Sequence, residues 1–364
     1  MTNKGRINSY IHSPLWDGLL IIAPPFVVLA ILFCLPSSLI QNSDVSPMLW
    51  MFLVVCIDVA HVYSTLFRSY LSKTAFQKYR GVMLRIPAIS FGIAMMIYTM
   101  NPLWFWRCLA YLAVFHFIRQ QYGFMKIYSR KEQLPRWLRW LQTITIYAAS
   151  IYPIIYWHLD ASREFHWFVD GDFMLVQASE NLQRALHVLY LVLLAAYIIS
   201  TIYEIVRFGL NLPKHGLIIG TILSWYFGIV YFNADLTFTA LNVVSHGIPY
   251  MALVWFTRQK ELEAQGKHQR GLRVLQSAAV FLLILITLAV FEEAMWDILH
   301  WRDHPQFFSG LYFLPHIQQR EWLNILIPLL ALPQLTHYVL DGFIRKVSKP
   351  EVQQEIGLDG KNKG

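Results

Sequence analysis

Apolar residues run along this chain in long blocks, separated by short polar and basic stretches. That pattern is neither the two-residue alternation of a half-buried strand nor the narrow stripe of a soluble amphipathic helix. The blocks fall at 15–36, 47–71, 81–100, 103–125, 138–158, 183–206, 216–232, 236–257, 274–292 and 323–344. A helix needs about 20 apolar residues to cross ~30 Å of hydrocarbon. The pattern therefore predicts an all-α polytopic transmembrane bundle of ten spans. One transmembrane domain is expected over 1–347, with a polar, disordered tail over 348–364. No Gly/Ser linker divides the chain, and no internal repeat of the kind found in inverted-repeat transporters is visible. The first block follows a short basic start, but it is long and lacks a small-residue cleavage site. It is expected to remain as the first span.

Composition narrows the classes. The chain has 364 residues, of which 56% are hydrophobic and 14% charged, against about 25% charged in a soluble domain. Disorder, a coiled coil, a disulfide scaffold and an ordinary soluble enzyme are excluded. Cys34, Cys56 and Cys108 all fall in predicted spans without CxxC spacing, so they read as small buried side chains.

The net charge of +8 is a topological signal. Of the 30 Lys and Arg residues, 23 lie in one alternating set of connections and four in the other, with Arg68, Arg107 and Arg119 inside spans. By the positive-inside rule both termini are cytoplasmic, and the expected location is a bacterial inner membrane, multi-pass. Membrane lipids are the implied surroundings and nucleic acid is not a partner. The two longest connections, 159–182 and 293–322, fall on the outer side and are rich in Trp, Phe, Asp and Glu.

Ionisable residues inside a membrane are costly and mark function by default. Four of the 13 histidines lie deep in spans: His61, His116, His246 and His337. They belong to the second, fourth, eighth and tenth spans, all running from outside to inside. Each precedes a basic residue at the inner end, namely Arg68, Lys126, Arg258 and Arg345. Those offsets place all four roughly 10–18 Å above the inner boundary. Each also has a polar companion three or four residues away on the same helical face: Asp58, Gln120, Asn242 and Asp341 respectively.

Imidazole is the commonest metal ligand, its second nitrogen usually held by a carboxylate or amide. The expected site is one metal held by His61, His116, His246 and His337. Asp58 and Asp341 complete or orient the shell or move protons, and Gln120, Asn242 and Arg119 shape the cofactor's surroundings. Arg119 lies one turn from His116 and is expected to pair with Asp58 or Asp341. Pro249 in SHGIPY frees a backbone carbonyl beside His246. The HWRDH segment carries an HxxxH spacing, His300 and His304, but lies on the outer side and reads as interfacial. No thiolate joins, so the donor set suits non-haem iron, and also zinc, manganese or copper.

The segments DVAHVYSTLFRSYL (58–71), FHFIRQQYGFMKIY (115–128), NVVSHGIPYMALVW (242–255) and LTHYVLDGFIRK (335–346) resemble those of a bacterial family of uncharacterised polytopic membrane proteins. That resemblance implies the multi-span fold and brings no activity with it. The Brp/Blh-type membrane carotenoid dioxygenases are similar in being polytopic and in setting four histidines around iron. Their PHGxxD-like motif is only faintly echoed by SHGIPY (245–250), and their closely spaced histidine pair is missing, so the likeness is one of site architecture. Membrane desaturases need HxxHH boxes, which this chain lacks.

The resulting expectation is an iron-dependent membrane oxidoreductase acting on a lipid or other hydrophobic compound, with an electron donor as partner. Three rivals stand beside it. A haem b electron-transfer protein would use the histidines as axial ligands. A transporter would use His and Asp as a proton relay. In a scaffold the histidines would only bridge helices, at about 1 kcal/mol each.

Overall fold

A computed structural model describes residues 9–36, 40, 45–163, 165–264, 266 and 272–344. Among these the chain is helical, with no strand. The tail expected from Ser348 lies outside the described residues.

Helices cover every predicted apolar block. In chain order they are α1 (Pro14–Ile22), α2 (Pro24–Cys34), α3 (Pro47–Arg68) and α4 (Lys73–Met100). Then come α5 (Pro102–Tyr128), α6 (Arg136–Leu159), α7 (Glu180–Phe208) and α8 (Leu212–Trp225, continued by a wide π-type turn over Tyr226–Tyr231). The last are α9 (Asp235–Ala264), α10 (Leu272–Trp296, continued by a π-type turn over Asp297–Trp301), α11 (Arg320–Leu330) and α12 (Leu332–Ile344).

The starts are written in the sequence. The hydroxyls of Ser13, Ser46, Ser72 and Ser179 each accept an N–H of the turn that follows, meeting one of the orphan donors of a helix start. Gly209, at φ 99°, ends α7 in a conformation that only glycine adopts cheaply.

Four helices are long and apolar enough to cross a membrane: α3, α4, α7 and α10. The bent pairs α1–α2 (53°) and α11–α12 (41°) raise that to six if each pair is one span. α7 shows why water is the wrong solvent. Leu189, Ile199 and Val206 along it are each about two-thirds exposed, and a soluble monomer rarely leaves so long an apolar face uncovered. α5, α6, α8 and α9 do not meet that test among the described residues. α10 runs nine residues past the predicted block end at 292. Glu293 reads as the start of a loop, but the helix continues, and Glu292 beside it accepts a hydrogen bond from Tyr63.

The chain forms two compact units. One comprises residues 1–44 and 114–249, the other 45–113 and 250–364. α5 and α9 each contribute residues to both.

In the first unit α8 packs on α2 and α6, and α6 on α7. A Cβ at Gly216 would fall 2.7 Å from Ile22 and one at Gly220 2.7 Å from Pro25. The glycines, four residues apart, let α8 approach α1 and α2 as small residues do between membrane helices. Leu29, Leu32 and Leu241 centre an apolar cluster there, joined by Leu223 and Phe227. In the second unit α10 packs on α3, and α4 receives α11 and α12.

Candidate metal centre

His61 and His337 belong to the second unit. α3 carries His61 just after a π-type segment, Met51–Val59, that also holds Asp58. Wide turns of this kind cost hydrogen-bond geometry and recur at functional sites. Asp58 precedes His61 by three residues, and one of its carboxylate oxygens lies 3.4 Å from His61 Nδ1. The His61 and His337 rings meet edge to face at 5.0 Å, and Tyr250 packs on both.

A chain of hydroxyls links His337 to Asp341. The Tyr250 hydroxyl donates to Asp341 Oδ1 at 2.8 Å. Thr65 Oγ1 lies 2.9 Å from the Tyr250 oxygen and 2.6 Å from His337 Nδ1. If Tyr250 gives its proton to Asp341, Thr65 is left to donate to the Tyr250 oxygen. Thr65 would then accept from His337 Nδ1–H, which would leave the lone pair on Nε2. Two hydroxyls thus connect Asp341 to His337.

His116 and His246 belong to the first unit, on α5 and α9. Their rings meet edge to face at 5.1 Å. Phe117 stacks flat on His246, with centroids 3.5 Å apart and planes 7° apart. Pro249 has no N–H to offer the carbonyl of Ser245, and Gln121 Nε2 donates to that carbonyl at 3.2 Å. Gln120 Nε2 donates to the carbonyl of His246 at 2.9 Å. Two adjacent glutamines of α5 thus fix the backbone that carries His246, one of them repairing what the proline removes.

Each of the four histidines offers one ring nitrogen, all four residues are buried, and these nitrogens lie within 4.8 Å of one another. Nitrogens bound 2.0–2.1 Å from a shared ion are at most about 4.2 Å apart. The four nitrogens would draw closer on binding, and Thr65 lies at hydrogen-bond distance from the second nitrogen of His337. Four buried imidazoles with ring nitrogens this close together suit a cation.

The remaining expected residues have partners of their own. Asn242 donates to the carbonyl of Phe238 one turn back. Arg119 is exposed, donates to the Tyr147 hydroxyl at 2.6 Å and lies over the Tyr122 ring. His300 and His304 are outside the cluster. The His304 ring stacks on Trp50 at 3.5 Å, and its backbone N–H bonds Asp297.

Sequence reasoning missed Thr65, Phe117 and Gln121, and the pairing of Tyr63 with Glu292. Only the last had a signal, two adjacent carboxylates in an otherwise apolar run. Compared with protein families, curated proteins and solved structures, the chain gives no match.

Proposed function

We propose that this protein is an integral membrane, metal-dependent oxidoreductase that acts on a lipid or other hydrophobic compound. The observation that carries the reading is the gathering of four buried imidazoles with ligand atoms within 4.8 Å. His61, His116, His246 and His337 hold the ion. Non-haem iron is the metal of choice, because imidazole suits it, no thiolate takes part, and ferrous iron supplies dioxygen chemistry on hydrophobic substrates. Zinc in the same place would supply a bound hydroxide for hydrolysis. Haem ranks behind both. Four imidazole nitrogens crowded on one point occupy the equatorial positions that a porphyrin's own nitrogens need.

The chain's other residues position the shell. Asp58 turns His61, and Asp341 holds the tautomer of His337 through Tyr250 and Thr65. Gln120, Gln121 and Phe117 fix His246. Asn242, buried one turn before His246, keeps its place in the cofactor's surroundings, while Arg119 is engaged by Tyr147. The membrane arrangement we propose is ten spans with both termini cytoplasmic, in a bacterial inner membrane. The substrate enters from the lipid, and an electron donor docks from outside the bilayer.

The test is dioxygen consumption by iron-loaded protein in lipid nanodiscs, supplied with a reductant and with lipid extract from the source membrane. Consumption that depends on the extract and is lost in His116→Ala supports the reading. Bound metal without consumption under any extract overturns the oxidoreductase assignment. Proton or solute flux by metal-free protein would favour the transporter instead.

A further inference from the structure

The start of α6 and the end of α5 enclose a second feature of the first unit that the histidines do not use. A groove of about 260 Å³ is lined by Tyr122, Lys126, Arg136, Arg139, Trp140 and Thr143. Three of the six are cationic and none is acidic. Lys126 lies over the Tyr122 ring at 5.4 Å, and Arg119 covers the same ring at 5.1 Å. Glu132, in the connection between the two helices, is committed to Lys214 at 2.7 Å with its side chain 2% exposed. It does not neutralise the groove. Arg136 and Arg139 are exposed, and among the described residues no ion pair joins either of them or Lys126 to a carboxylate.

Two further observations say what kind of anion fits. The first turn of α6 begins at Pro135 with no side-chain cap, so its N–H groups add their partial positive charge to the same end. From the groove an apolar stripe then climbs α6. Trp137, Trp140, Ile144 and Ile151 are each between two-fifths and three-fifths exposed, with Ile155 close to that range. Their spacing of three, four, seven and four residues keeps them on one helical face. Indoles at the foot of such a stripe suit a membrane interface. A free phosphate would use the cations and leave the stripe bare.

We infer that this groove binds the phosphate headgroup of an anionic phospholipid, whose acyl chains lie along Ile144, Ile151 and Ile155. Lys126, Arg136 and Arg139 take the phosphate, Arg with paired N–H donors, and Trp140 with Tyr122 frames the glycerol region. Basic pockets between helices at the cytoplasmic side recognise lipid headgroups in this way. The site is independent of the histidine cluster, so its failure would leave the metal reading untouched.

The test uses full-length protein, delipidated in detergent and titrated with phosphatidylglycerol or phosphatidylcholine under native mass spectrometry. The wild type should retain one phosphatidylglycerol with about tenfold preference or more. K126Q/R136Q/R139Q should lose that preference while its metal content stays unchanged. K73Q/R80Q/R207Q removes as many exposed cations elsewhere and should keep it. The proposal is overturned if the groove variant keeps its preference, or if the control loses as much. It is also overturned if millimolar inorganic phosphate displaces the lipid, since that would make the site one for free phosphate.

Discussion

Two buried polar clusters in this protein answer the cost of burial in different ways. In the first, Lys214 is wholly buried between Glu204 at 2.6 Å and Glu132 at 2.7 Å. Gln142 donates to the other oxygen of Glu204, His215 Nε2 lies 3.3 Å from Glu204, and Asn211 donates to Glu132. The chain supplies its own counter-charge. In the second, four groups of one kind converge. Imidazoles that gather this closely repel one another if protonated and, if neutral, present lone pairs to one another. Opposite charges brought together by folding need no ligand; like donors brought together at the cost of burial call for a cation. The first cluster reads as structure and the second as a site.

The largest effect expected from breaking this comparison is at Lys214. Lys214→Met leaves two carboxylates buried without their cation and should cost about 3–5 kcal/mol, read as thermal unfolding in detergent or as loss of expression. K214M/E132Q/E204Q should recover most of that loss. If it does not, the cluster holds more than charge balance.

The histidines should behave the other way round. Alanine at position 61, 116, 246 or 337 should lower bound metal at least tenfold while the apo protein stays folded. A chelator should bring the wild type down to the stability of those variants, since a ligand stabilises only the state that binds it. A variant that keeps full metal occupancy removes its residue from the shell.

Smaller losses are expected one layer out. Asp58→Asn and Thr65→Val leave all four ligands present and should weaken metal affinity by roughly 10–100-fold, measured by competition with a chelator of known affinity. Smallest of all are the surface histidines. His166→Ala and His304→Ala should leave metal content unchanged, and His304→Ala should cost about 1 kcal/mol from its stack on Trp50.

Much of this was legible in the residues themselves. Apolar blocks locate the helices because a helix that faces lipid must be apolar over its whole exposed length. The four histidines stood out because an ionisable group in such a block needs a reason, and their matched offsets from basic residues suggested a common depth. What was not legible depends on contacts between helices distant in sequence. Nothing along the chain links Thr65 to His337, 272 residues away. Asp341, four residues after His337, suggested direct contact, but helical spacing says only that two side chains share a face. The path from the carboxylate to its histidine runs through Tyr250 and Thr65, which no spacing announces. Gln120 was assigned to His116 on the same argument, and its amide goes to the backbone of His246. Helical periodicity finds which face is polar, and only packing decides what that face meets.

The central claim is that the four imidazoles hold a metal. The direct measurement is elemental analysis with a visible absorption spectrum, on protein purified in mild detergent without chelator, beside the H61A/H116A/H246A/H337A variant. The account predicts close to one iron per chain in the wild type, no haem band, and no iron in the variant. Metal retained in full by the variant, or no metal bound by the wild type even after reconstitution, would contradict it.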